Sequence, residues 1–135
     1  MVVSAAVISV VAGVFVRDRH LLLVRKRHTQ RFMFPGGKLA TGEDDIAALT
    51  REVQEEIGCA IAPDSFDFWG QVTVAAANEA DTLITASVYQ GALVGEPLPQ
   101  NEIEEIFWQA IAAPIHQSVA PLVTEFVWPR LLQQV

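Results

Sequence analysis

The chain has a single cysteine, Cys59, in 135 residues. That excludes an intramolecular disulfide framework and a cysteine-based zinc site, and it suits a reduced compartment. Positive charge is scarce as well. Nine Lys and Arg stand against 16 Asp and Glu, a formal net charge of −7. A surface of that sign repels phosphate backbones, which argues against a nucleic-acid polymer as the partner. The N-terminal uncharged stretch, residues 1–16, has no Lys or Arg before Arg17. It therefore lacks the basic region of a secretory signal, and it stops short of the roughly 20 apolar residues that span a membrane. Its Val and Ile content favours a buried strand in a cytoplasmic protein. Hydrophobic residues make up 51% of the chain and charged residues 19%, enough for one core and a poor fit to disorder or coiled coil. A single domain over residues 1–135 is expected.

Residues 5–16 and 21–26 read as strands joined by the polar turn Arg17-Asp18-Arg19-His20. A basic stretch, Arg25-Lys26-Arg27-His28, leads to Phe34-Pro35-Gly36-Gly37-Lys38, whose Pro-Gly-Gly run reads as a turn. Asp44 or Asp45 is placed to cap a helix that ends at Gly58. Residues 66–75, 82–90 and 106–108 read as further strands, and residues 118–128 as a helix that Pro129 kinks or ends. Strands around one strong central helix predict an α+β fold, a mixed sheet with helices packed on its faces.

The central helix carries the chemistry. At about 100° per residue, Ile46, Leu49, Val53 and Ile57 form one apolar stripe, and Glu52, Glu55 and Glu56 form an adjacent acidic one. Like charges at i, i+3 and i+4 cost about 0.2–0.5 kcal/mol per pair. On that ground the metal-free chain is expected to melt slightly higher with Glu52 neutralised. A solvated acidic face is the plain reading. The glycine turn, Lys38 and the basic run just upstream point instead to a cation site beside phosphate-binding residues. Oxygen-only donors of this kind suit Mg²⁺ or Mn²⁺.

The spacing Gly37, five residues, Glu43, seven residues, Arg51-Glu52-Val53-Gln54-Glu55-Glu56-Ile57-Gly58 resembles the signature of the Nudix hydrolase family. Seven fixed positions match, which chance gives about once in 10⁸ start sites. Cys59 departs from the pattern, standing in the final aliphatic slot. The resemblance covers 23 residues closely and implies a Nudix-like α/β/α sandwich around a mixed β-sheet.

By that resemblance, Glu52, Glu55 and Glu56 are the catalytic carboxylates and hold Mg²⁺, with Mn²⁺ as the other suitable ion. Glu102 is the expected ligand outside the box, with Glu105 as the fallback. Glu52 is the expected general base, and Glu43 and Arg51 are expected to be structural. Arg25, Lys38 and Gly37 are expected at the phosphates. Phe34 and Asn78 are the candidates at the base, with core and turn roles as their alternatives. The implied reaction is hydrolysis of a nucleoside diphosphate linked to X, foremost a nucleoside triphosphate to the monophosphate and pyrophosphate. ADP-ribose, nucleotide sugars, dinucleoside polyphosphates or an inactive nucleotide-sensing module are the alternatives. The expected partner is a small-molecule nucleotide rather than a polymer or membrane, with the protein a monomer or homodimer.

Overall fold

The uncharged N-terminal run becomes strand β1 (Ala6–Arg17) in the computed structural model, which describes residues 6–134. Ala5, the first residue expected in that strand, lies outside the described residues. Strand β1 turns into β2 (His20–Lys26) through Asp18 and Arg19, both at positive φ (52° and 61°). A two-residue turn of that kind matches the right-handed twist of a hairpin. Then come β3 (Gly36–Lys38), helix α1 (Asp45–Ile57), β4 (Ala60–Ile61), β5 (Asp67–Ala75), β6 (Thr82–Gly91), β7 (Leu93–Val94) and β8 (Ile103–Ala110). A C-terminal helical segment ends in α2 (Trp128–Gln134).

The main sheet runs β5-β6-β1-β2-β8, with β3 alongside β1, and β4 pairs with β7 in a separate ribbon. The β1–β6 pairing is parallel and the others are antiparallel, so the sheet is mixed and the fold α+β. Strand β1 is buried from Val11 to Phe15 without alternation, because apolar layers cover both of its faces. Val11 and Phe15 pack with Leu49, Val53 and Ile57 of α1. Ala12 and Val14 pack with Val123, Val127 and Leu131 of the C-terminal segment.

Helix α1 has the expected ends. The Asp44 side chain accepts from the Ala47 N–H at 2.8 Å, and Gly58 sits in the left-handed region (φ 69°) with its N–H on the Gln54 carbonyl. Its apolar stripe is Ala48, Leu49, Val53 and Ile57, whereas Ile46 is only half-buried. The C-terminal helical segment starts at residue 121, not at the expected 118, and continues past 128 to Gln134. Residues Val123–Val127 form a widened π-type turn in which the Trp128 N–H reaches the Val123 carbonyl. That turn ends two residues before Pro129, which has no N–H and whose ring would strike a carbonyl four residues back in a regular helix. No helix among the described residues is long and apolar enough to cross a membrane.

The Pro-Gly-Gly segment corrects the sequence reading. Gly36–Lys38 is a short strand on β1, with Ala12 opposite Gly36 and Val11 opposite Gly37, and it is more than a turn. Gly36 holds φ 144°, and a Cβ there would lie 2.0 Å from the Val11 carbonyl oxygen. Only glycine lets the two backbones meet. Gly36→Ala should therefore lower the melting temperature by roughly 5–15 °C. Thermal denaturation followed by circular dichroism checks this, and a wild-type melting point would show that the β1–β3 contact gives way easily.

Candidate active site

Arg51 on α1 organises the segment from Gly36 to Gly58. Its Nε and Nη2 donate to the two carboxylate oxygens of Glu43 at 2.7 and 2.8 Å, a forked pair. Nη2 also reaches the Lys38 carbonyl at 3.2 Å, and Nη1 reaches Glu52 at 2.8 Å and Glu55 at 3.5 Å. Glu43 in turn accepts from the Ala40 N–H at 2.7 Å. Hydrogen bonding to Arg51, then to Ala40, draws the Glu43 carboxyl down to about 2, and the same acids push Arg51 upward. Glu52 is therefore paired with a guanidinium, so neutralising it would break that ion pair as well as relieve the repulsion that the helical spacing predicts.

Glu56 behaves differently from its neighbours. It is buried, 7% exposed, and its Oε1 accepts from the Gly36 N–H at 3.0 Å. Burial pushes its carboxyl up to about 8; the Gly36 bond and the nearby Lys26 oppose this, while the charges of Glu52 and Glu102 add to it. Gly37 matters through Glu52, since a Cβ there would lie 2.8 Å from the Glu52 carboxyl carbon.

Glu52, Glu55 and Glu56 share one cleft of about 620 Å³ with Glu102, Gly37 and Lys38. Phe34 lines it too, although that side chain is 4% exposed and belongs mainly to the core. Arg25 does not reach the cleft. Its Nε binds Glu105 at 2.9 Å and its Nη1 the Thr29 carbonyl at 2.8 Å. Arg27, just past β2, pairs with Glu104 of β8 at 3.3 Å. Lys26 takes the place expected of Arg25: it lines the cleft, with its Nζ 3.7 Å from Glu102. Sequence reasoning missed Lys26, although strand alternation marks it: Lys26 follows Leu22 and Val24 on the face of β2 that packs with α1, and Arg25 falls on the other face. Asn101, on the same wall, was also missed; it donates to the Glu55 carbonyl at 2.7 Å. Asn78 does not line the main cleft. Its Oδ1 accepts from the Arg31 N–H at 3.2 Å, and it borders a neighbouring cavity of about 460 Å³.

Among the described residues the acids do not close into a preformed metal cage. Glu52 and Glu55 turn to Arg51, and Glu56 turns to Gly36. The donor set nevertheless fits a hard divalent cation. All its donors are oxygens, and the repulsion that Glu52 and Glu102 exert on Glu56 is what such an ion would relieve.

The family model described as NUDIX domain matches residues 7–126. Over 57 residues the chain is 42% identical to "Putative 8-oxo-dGTP diphosphatase 2" from two strains of Mycobacterium tuberculosis. That stretch is 39% of this chain and 40% of those relatives' length. The crystal structure of MutT NUDIX hydrolase from Burkholderia pseudomallei is similar at TM-score 0.74 and 24% identity, covering 96% of this chain and 98% of that one. The MutT protein from Methanosarcina mazei Go1 is similar at TM-score 0.78 and 22% identity, covering 98% of each chain. These two structures show the fold.

Glu56 gives the metal-free protein a distinctive pH dependence. Its carboxyl titrates at about 8 in the folded chain and at the ordinary 4.5 in the unfolded one. The folded state holds the extra proton between those values, so this stabilisation is complete below 4.5 and is lost as pH rises through about 8. In chelator, the melting temperature should fall by roughly 3–8 °C from about pH 5.5 to about pH 8.5, and Glu56→Gln should flatten that slope. An unchanged slope in the variant would assign the titration to another group.

Proposed function

This chain belongs to the NUDIX domain family, and from that premise we propose that it is a metal-dependent pyrophosphohydrolase acting on a nucleoside diphosphate linked to X. Its foremost substrate is a nucleoside triphosphate, converted with Mg²⁺, or Mn²⁺, to the monophosphate and pyrophosphate. The observation that carries this reading is the composition of one cleft. Five carboxylates and two lysines occupy it together with the apolar residues Ile8, Val10, Ile84 and Leu122. A polyphosphate needs the charged groups and a nucleoside needs the apolar ones. The name of the Mycobacterium tuberculosis relatives supports an oxidised guanine nucleotide as one such substrate.

Glu52, Glu55, Glu56 and Glu102 would hold the cation, which neutralises phosphate oxyanions and lowers the pKa of bound water when present. Lys26 and Lys38 bind the phosphate oxygens as point charges, and the Gly37 backbone leaves the space in which Glu52 moves. Glu52 accepts the proton from the attacking water. The water oxygen forms a new bond to phosphorus as the bridging P–O bond breaks, and pyrophosphate leaves. Arg51 orients Glu52 and Glu55 from behind and touches no reacting atom. Glu56, buried against Gly36, fixes the depth at which the acidic face meets the substrate.

A panel of nucleotides with Mg²⁺, scored for pyrophosphate against orthophosphate, tests the reading. Triphosphates should release pyrophosphate, and Glu55→Gln or Glu56→Gln should cut turnover about a hundredfold, roughly 2.7 kcal/mol in barrier. Near-wild-type rates in both variants at saturating Mg²⁺, or no turnover of any nucleotide, would overturn it.

The exchange of Arg25 for Lys26 in the cleft gives a separate test. Lys26→Ala should raise KM for a triphosphate about tenfold, roughly 1.4 kcal/mol of lost binding. Arg25→Ala should leave KM within about threefold and act on stability through its lost ties to Glu105 and Thr29. Steady-state kinetics and melting curves of the two variants separate these effects; a larger KM effect at Arg25 would move the phosphate site away from Lys26.

A further inference from the structure

The acidic and apolar ends of the cleft are separated along β1. Gly36 and Gly37, against which Glu56 and Glu52 lie, sit opposite Ala12 and Val11. Ile8, paired with Ile84 of β6, lies three residues away, about 10 Å along the strand. Beyond Ile8 and Ile84 the loop of residues 76–81 closes the sheet end, where Ala6 pairs with Thr82. A nucleotide with its phosphates among the acids and lysines therefore places its base between apolar walls beneath this loop. Apolar walls stack any base and distinguish none.

One charged residue lines this end. Glu79 lines both the main cleft and the adjoining cavity, as do Ala76 and Ala77, whose small side chains leave room beside it. Among the described residues no hydrogen bond or ion pair engages the Glu79 carboxylate. Its neighbour Asn78 fastens the loop to residues 28–31 through the bond from the Arg31 N–H.

We propose that Glu79 selects the base, its two oxygens accepting from a ring N–H and the adjacent exocyclic amine, with Asn78 as the positioning residue that holds its loop in place. This rests on the nucleotide reading of the cleft given above. An ionised carboxylate only accepts hydrogen bonds. Guanine presents two adjacent donors on its pairing edge, N1–H and the 2-amino group. Hypoxanthine keeps the N1–H and lacks the amine. Cytosine and adenine offer an amine beside an acceptor nitrogen, and uracil and thymine flank one N–H with two carbonyl oxygens that a carboxylate repels. Guanine is therefore the base this end of the cleft favours.

The cleanest probes are GMP and IMP, which differ only in the 2-amino group, with binding measured calorimetrically on the full chain in Mg²⁺ buffer. Wild type should bind GMP about fivefold more tightly than IMP. Glu79→Ala should bring that ratio close to one. Asn78→Ala should reduce it, and Asn78→Asp, which keeps the acceptor for Arg31, should restore it. Melting curves establish that each variant is folded, as expected for exposed loop positions. Equal affinity of wild type for the two nucleotides, a ratio that survives Glu79→Ala, or no binding of either at millimolar concentration overturns the assignment. Binding is read without turnover, so a chain that prefers GMP yet hydrolyses no triphosphate would sink the enzymatic reading and leave base selection by Glu79 standing.

Discussion

The fork between Arg51 and Glu43 is the interaction on which the site depends. A helix with Glu at positions 52, 55 and 56 in a chain of net charge −7 would repel itself if its acids had only water around them. Arg51 supplies one guanidinium that meets three carboxylates and a backbone carbonyl together. Sharing one ordered side chain among several partners spreads its entropy cost, which an isolated surface pair cannot do. The loop before α1 is fixed by the same contacts, because Glu43 also holds the Ala40 N–H.

Glu56 is organised by the opposite means. Its partner is a neutral N–H and it is buried beside the like charges of Glu52 and Glu102, so the protein tolerates it best with a proton on. A cation brought into the cleft would take the place of that proton. The acidic face thus contains one acid held closely by arginine, one exposed acid that meets the same arginine at longer range and one buried acid, although the helical spacing alone makes them look equivalent. Such differences in environment divide tasks among identical side chains.

The two lysines and the remaining basic residues divide in a comparable way. Arg25 and Arg27 pair with Glu105 and Glu104 of β8, while Lys26 and Lys38 line the cleft. The arginines, with their planar forks, take the fixed contacts to β8; the lysines, as mobile point charges, are left where a ligand would arrive. Lys26 remains near Glu102, so a charge of each sign stands at the same wall.

The sequence by itself determined the elements and the acidic face. Periodicity and caps located α1, alternation and Val/Ile content located the long strands, and the spacing from Gly37 to Gly58 identified the family, because each depends on residues near one another in the chain. Tertiary structure decided what depends on distant neighbours. The approach of Gly36 to Val11 made the Pro-Gly-Gly turn a strand. Packing of the Leu22 and Val24 face of β2 on α1 put Lys26 rather than Arg25 at the cleft. The Arg31 N–H took the oxygen of Asn78, and Glu79, which the sequence reading passed over, was brought to the end of an apolar slot. Burial, the largest cause of the raised Glu56 carboxyl, arises when β1, β3 and α1 pack together, and no local pattern records it.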